Sequence, residues 1–297
     1  MNSFKLINPG SKEELLKELA QKGSAGKAVA GGTDLLPAYR KEKIPVPEYM
    51  INLKSITELA VIEKAGSVIN VGALATHAEV YESPVIRENG FALGESCDKV
   101  ASTQIRNLAT IGGNIANASP AADSVPAMLA FDAHIHLCSA KGQRELKLEE
   151  FFIGPGQTVL AEGEIIEKIS FPAHGAGEGS AFVKLGKRKA VTLSIVSAAA
   201  YVKLSSDLTL IEEARVAMGS VAPTPLRLKS AEALLKGVNP KAIDWQAFNE
   251  AVQNEVRPIG DVRSSAEYRL EVSGVIAGRA LKNAIERAET SGKGGLK

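Results

Sequence analysis

The chain has 297 residues, enough for two domains that each bury a core. With 45% hydrophobic and 23% charged residues it has the composition of an ordinary globular protein, and a formal net charge of +1 argues against nucleic acid or an anionic membrane as its main partner. No apolar run opens the chain or reaches membrane-spanning length, so the expected place is the cytoplasm.

Ser11-Lys-Glu-Glu14 has the form of a capping box, and Leu15, Leu16, Leu19 and Ala20 follow on one helical face as far as Gly23. Lys27 to Ala30 is a short apolar strand that runs into Gly31, Gly32, Thr33 and Asp34, after which a helix is predicted from Leu35 to about Lys41. A strand, a double-glycine turn and a helix start in that order expose backbone N–H groups in one direction, a layout that suits an anion. The turn is not a Rossmann fingerprint, since no G-x-G-x-x-G follows the strand, and no Walker A motif occurs.

Strands are expected at Glu48 to Leu53, Val61 to Glu63 and Val68 to Val71. Thr76 to Glu79 forms a second capping box, and Val85 to about Ser96 reads as one longer helix. Thr110 to Pro126 carries two adjacent glycines, asparagines, serines, an aspartate and prolines with almost no bulk. It is predicted as a loop that brings backbone and short polar side chains up to a hydroxyl- and phosphate-bearing ligand. Strands should follow near Ala133 to Cys138, Glu145 to Leu148 and Glu164 to Phe171.

Two cysteines, Cys97 and Cys138, are too few for a four-thiolate metal or iron–sulfur centre from this chain alone. His134 and His136 share one face of a strand; a half-exposed face is favoured over a metal pair there. Glycines 175, 177 and 179 mark the best linker. Beyond it, strands near 181–185, 196–204 and 210–218 suggest an antiparallel sheet. Helices are predicted at 230–235, 240–254 and 266–287, with a flexible tail over 289–297.

Taken together, Ala30 to Leu36, Gln104 to Asn114, Ala118 to Asp123, Gly154-Pro-Gly156, Glu164 to Ile166 and Val221 to Arg227 resemble one family over essentially the whole chain. That family is the FAD-binding medium subunit of the molybdenum hydroxylases, as in xanthine, nicotinate and aerobic CO dehydrogenases. The resemblance implies an α+β fold: a two-lobed FAD domain of the vanillyl-alcohol-oxidase (PCMH) type over 1–175, with lobes of about 1–57 and 58–175. A C-terminal domain of antiparallel sheet and helices would follow over 180–288.

It implies FAD contacts from Val29, Ala30, Gly31, Gly32, Thr33, Asp34 and Leu35 on one side. On the other they come from Thr110, Ile111, Gly112, Gly113, Asn114, Ser119 and Asp123, with Ile166 and Lys184 added from later strands. Asp123 also stands where a helix N-cap would, and Leu193 is placed loosely near the flavin ring. No catalytic residue and no metal ligand is assigned.

The implied partners are a large molybdopterin-binding subunit and a small [2Fe–2S] subunit, with NAD+ as a candidate acceptor. The tyrosine that some CO dehydrogenase relatives place near the flavin is replaced around Leu193, a lean toward xanthine- or nicotinate-type enzymes. The alternatives are a self-contained flavin reductase, which needs its own proton donor, and a scaffold that has lost flavin.

Overall fold

The computed structural model describes residues 4–188 and 191–293. The first lobe is a three-stranded parallel sheet in the order β1-β3-β2, built from β1 (Lys5–Ile7), β2 (Gly26–Val29) and β3 (Tyr49–Asn52). Helix α1 (Lys12–Lys22) packs on it through Leu15 and Leu19, both buried. The Ser11 side chain accepts from Glu14 N as a cap should, but Glu14 reaches past Ser11 and accepts from Gly10 N at 2.7 Å. Helix α2 (Leu35–Arg40) starts directly after the double glycine.

The second lobe is a five-stranded antiparallel sheet, β4-β5-β10-β6-β7. Its strands are β4 (Ile62–Ala65), β5 (Val68–Gly72), β6 (His134–Ser139), β7 (Gly142–Lys147) and, after the small hairpin β8 (Phe152–Gly154) and β9 (Gln157–Thr158), β10 (Ile165–Pro172). Between β5 and β6 run six short helices: α3 (His77–Glu82), α4 (Pro84–Asn89), α5 (Phe91–Asp98), α6 (Thr103–Arg106), α7 (Ile111–Ala116) and α8 (Ser124–Ala130). Thr76 completes a full capping box with Glu79 at the start of α3.

Two expectations change here. The helix predicted over 85–96 is broken at Gly90, where a Cβ would lie 2.9 Å from the Phe171 ring, so the chain turns where only hydrogen fits. The stretch 110–126 is not a loop: it contains α7 and the start of α8 joined by a turn.

The third layer is an antiparallel sheet of β11 (Glu178–Leu185), β12 (Val196–Leu204), β13 (Ile211–Gly219) and β14 (Leu226–Arg227), followed by helices α9 (Lys229–Ala233), α10 (Trp245–Glu255) and α11 (Ala266–Gly292). β12 is buried on both faces because successive side chains alternate. Ala198, Ala200 and Val202 join the core under α11, while Ala199 and Tyr201 join the core of the second lobe. The same alternation places Phe182 and Ala217 with the second lobe. The C-terminal sheet thus shares one continuous core with the FAD-type domain.

The tail expected to be flexible from 289 is helical through Gly292. Ala288 is fully buried, and Ser291 Oγ donates to the Glu178 carbonyl at 2.9 Å, which holds the last turn on the sheet. Residues 294–297 of that tail lie outside the described residues. Among the described residues, no helix is long and apolar enough to cross a membrane.

Candidate functional site

A cleft of about 710 Å³ opens where the first lobe, the second lobe and the start of the third layer meet. That size suits a cofactor, since such clefts run to about 300–1,000 Å³. One wall is the β2–α2 turn, with Val29, Ala30, Gly31, Gly32, Thr33, Asp34 and Leu35 all lining it. Among the described residues, no protein acceptor takes the N–H of Gly31, Gly32, Thr33, Asp34 or Leu35, and the first helical bond runs from Leu36 N to Gly32 O at 3.0 Å. Five consecutive backbone donors are left for a ligand, water or an anion, which is the fit a pyrophosphate needs.

The two glycines of this turn serve different ends. Gly32 has φ +68°, a conformation that L side chains rarely adopt. A Cβ on Gly31 would overlap the Leu108 carbonyl, so the donor turn and the segment before Thr110 touch backbone to backbone. The two lobes are therefore in contact at the floor of the cleft.

The second wall is built differently. Thr110, Gly113, Asn114, Ser119 and Asp123 line the cleft. The amides of this segment are consumed internally: Ile111 N donates to Ala75 O at 2.9 Å, Gly112 N to Ala73 O at 2.8 Å, and Gly113 N to Thr110 Oγ1 at 3.1 Å. The second double glycine thus supplies shape and not donors. Asn114 Oδ1 accepts from Ser124 Oγ at 2.8 Å, which leaves the Asn114 amide NH2 as the side chain's remaining polar group. Ser119 Oγ accepts from Ala121 N at 3.2 Å in a local turn.

Four expected contact residues do not line the cleft. Ile111 is fully buried in the second-lobe core, and Gly112 faces Ala73, where a Cβ would come within 2.6 Å of the Ala73 Cβ. Ile166 is buried in the same core on β10. Lys184 is held by protein partners instead: its Nζ sits 2.6 Å from Asp123 Oδ2 and 2.9 Å from the Lys99 carbonyl.

Asp123 makes no capping bond to α8. Its second oxygen accepts from Ser194 Oγ. The side chains of this ion pair are only 7% and 8% exposed. Burial pushes the Asp123 carboxyl upward, against the Lys184 ammonium and the hydrogen bonds from Lys184 and Ser194. The pair therefore joins α8 to the third layer beneath the cleft.

Sequence reasoning missed several lining groups. His77, Val100, Ala101, Ile105, Ala109, Asn117 and Gly156 complete the second wall, and Val191, Thr192 and Leu193 form a third. Leu193, placed loosely in the sequence, does reach the cleft and is 59% exposed. Ala101 and Val191 have positive φ values of 42° and 50°, local strain that tertiary packing holds in place at the rim. For His77 the available signal was its position inside a capping box, as the first residue of α3 and directly after Thr76, which bridges Thr110.

The remaining candidates fall elsewhere. His134 Nδ1 lies 2.5 Å from Glu145, and His136 hydrogen-bonds Ser170 Oγ at 2.7 Å, so both serve the β6 face. Among the described residues no group of three or more His, Cys, Asp or Glu side chains is placed to hold a metal ion. Lys184 to Lys189 also form a run rich in basic residues; there Lys187 Nζ donates to the Val262 carbonyl at 2.9 Å, and Lys189 lies outside the described residues.

Residues 2–174 match the family described as the FAD binding domain in molybdopterin dehydrogenase, and residues 181–284 match the CO dehydrogenase flavoprotein C-terminal domain. The chain belongs to the FAD-binding subunits of the molybdenum hydroxylases. It is 33% identical over 287 residues to the carbon monoxide dehydrogenase medium chain of Hydrogenophaga pseudoflava, covering 96% of this chain and 98% of that one. To the nicotinate dehydrogenase FAD-subunit of Eubacterium barkeri it is 34% identical, with 93% and 94% covered.

The structure of the H. pseudoflava carbon monoxide dehydrogenase superposes with a TM-score of 0.91 at 32% identity over 96% of this chain and 98% of that one. The quinoline 2-oxidoreductase of Pseudomonas putida 86 does so at 0.89 and 25%, over 97% and 98%. As a member of this family the chain is an FAD-binding oxidoreductase subunit. The donor turn and its glycine-lined floor are the part of the cleft whose chemistry fits a dinucleotide.

Proposed function

We propose that this chain is the electron-transfer subunit of a multi-subunit molybdenum hydroxylase. Electrons would come from [2Fe–2S] clusters in a small partner subunit, after substrate is oxidised at a molybdopterin centre in a large one. They would leave to NAD+ or another acceptor. Bound FAD supplies the redox chemistry; the residues of the chain hold and orient it and keep its surroundings packed.

The observation that carries this reading is the character of the cleft. Its five free backbone donors fit a pyrophosphate, while its titratable side chains are Lys27, Asp34, His77 and Asp123. Of these, His77 faces Cys97, and Asp123 is held by Lys184 and Ser194. Among the described residues, no acid and base stand paired in the cleft to process a substrate. A self-contained reductase would need such a proton donor.

The test is co-expression with candidate partners. The chain should co-purify with a molybdopterin-binding subunit and a cysteine-rich small subunit, carrying a flavin spectrum. A colourless chain that cannot be reconstituted with FAD would end this reading. Anaerobic NADH then examines the acceptor: bleaching of the flavin supports NAD+, and an unchanged spectrum assigns another acceptor.

A further inference from the structure

His77 is fully buried, yet it lines the cleft. Its Nδ1 lies 3.3 Å from Cys97 Sγ in α5, and its Nε2 has no partner in the protein. The backbone N–H of His77 donates to Ala109 O at 3.0 Å, which ties the residue to the segment that enters Thr110 and Gly113. A buried and unpaired imidazole nitrogen, in a residue that lines a ligand cleft, is costly unless a ligand completes it.

The proton can be placed. Burial pushes the Cys97 thiol far upward, so it remains S–H. Burial and the nearby Arg106 guanidinium push His77 down to about 4, so the ring is neutral at pH 7. Imidazole nitrogen is a better acceptor than sulfur, and a thiol still has a proton to give. Cys97 therefore donates to Nδ1, and the remaining proton sits on Nε2.

We infer that His77 is a cofactor-positioning residue: its Nε2–H, held in that tautomer by Cys97, donates a hydrogen bond to an acceptor atom of FAD bound in the cleft. The inference rests on the cleft being the FAD site. The chemistry it recognises is an uncharged or anionic oxygen or nitrogen acceptor, of which the flavin, ribityl and pyrophosphate portions all have examples.

Histidine-labelled 15N NMR of the full chain tests this without any variant having to fold. In the FAD-free chain the His77 ring should be neutral with Nε2 protonated. Saturation with FAD should move the Nε2–H proton downfield and slow its exchange with water. Parallel titrations with riboflavin and with ADP identify the portion contacted, according to which reproduces the shift.

His77→Phe should weaken FAD retention about tenfold, the loss of one hydrogen bond, and His77→Gln should restore part of it. A ring protonated at Nδ1, or an Nε2 resonance unmoved while FAD is bound, overturns the proposal and leaves the site intact. Failure of FAD to bind at all overturns both.

Discussion

Gly31 and Gly32 are neighbours whose replacement by alanine should fail in different ways. At Gly31 the new Cβ meets a backbone carbonyl, Leu108 O, which has nowhere to go. Gly31→Ala should therefore push the lobes apart, costing about 1–3 kcal/mol and weakening FAD binding at least about tenfold. At Gly32 the Cβ meets the flexible Leu36 side chain at 3.0 Å, and the cost is the φ of +68°, about 1–2 kcal/mol. Urea unfolding and flavin-fluorescence titration of the two variants separate a displaced wall from a strained turn. A second residue-scale expectation concerns the Asp123–Lys184 pair. Removing either partner strands a buried charge at about 3–5 kcal/mol, whereas the double change Asp123→Leu with Lys184→Met should lose less than either single one. If the double variant is as unstable as the sum of the singles, the pair does not act as a unit.

Among the elements, α11 shows most plainly how packing is written in small residues. Gly274, Ala277, Gly278, Ala280, Ala284 and Ala288 are its buried small positions, and Gly179 on β11 lies so close beneath that a Cβ would overlap the Ala284 carbonyl and the Ala288 amide. Gly179→Ala should lift the last turns of the helix off the sheet and cost about 3 kcal/mol, read as an earlier urea midpoint. That glycine was legible only as a linker signal, because what demands it is a helix more than a hundred residues away in sequence. The same limit explains the other misreadings. Caps at Ser11 and Thr76 were legible because they depend on residues three apart. The break at Gly90 depends on Phe171, and the helical state of 111–116 on the Ala73 and Ala75 carbonyls that take its first amides. The donor turn at 31–35 was legible because strand, glycines and helix start are contiguous, whereas the surroundings of His77 are set by Cys97 and Ala109, 20 and 32 residues further on.

At the scale of the whole molecule, one core runs from the second lobe through β12 to α11, and two histidines are attached to it, His77 fully buried and His174 part-buried. His77 stands in the second lobe. His174 lies against Phe131 at 4.7 Å and Tyr201 at 5.0 Å between ring centroids, at the seam of the two domains. Burial, with the Arg215 charge added, pushes His174 down to about 3, as burial and Arg106 push His77 to about 4. An unfolded chain takes up these protons near pH 6.5, while the folded chain refuses them until far lower. Stability should thus fall as pH drops below about 6.5, by up to about 1.4 kcal/mol per unit for each histidine, and level off only near the folded values. His174→Phe should flatten that slope between pH 6 and 4.5 in urea titrations; an unchanged slope would mean the ring is not held neutral. The unspent donors of Gly31 to Leu35 carry a thermodynamic consequence of their own. They belong to the lobe with the smallest sheet, and a ligand that binds only when those amides are aligned adds its occupancy to the opening free energy of that lobe. At a hundredfold excess over its dissociation constant, FAD would contribute about 2.7 kcal/mol. The opening free energy read from amide exchange in β2 and β3 should rise with the logarithm of FAD concentration, while β12 keeps its own rate, making the cofactor a structural member of one lobe and a guest of the other.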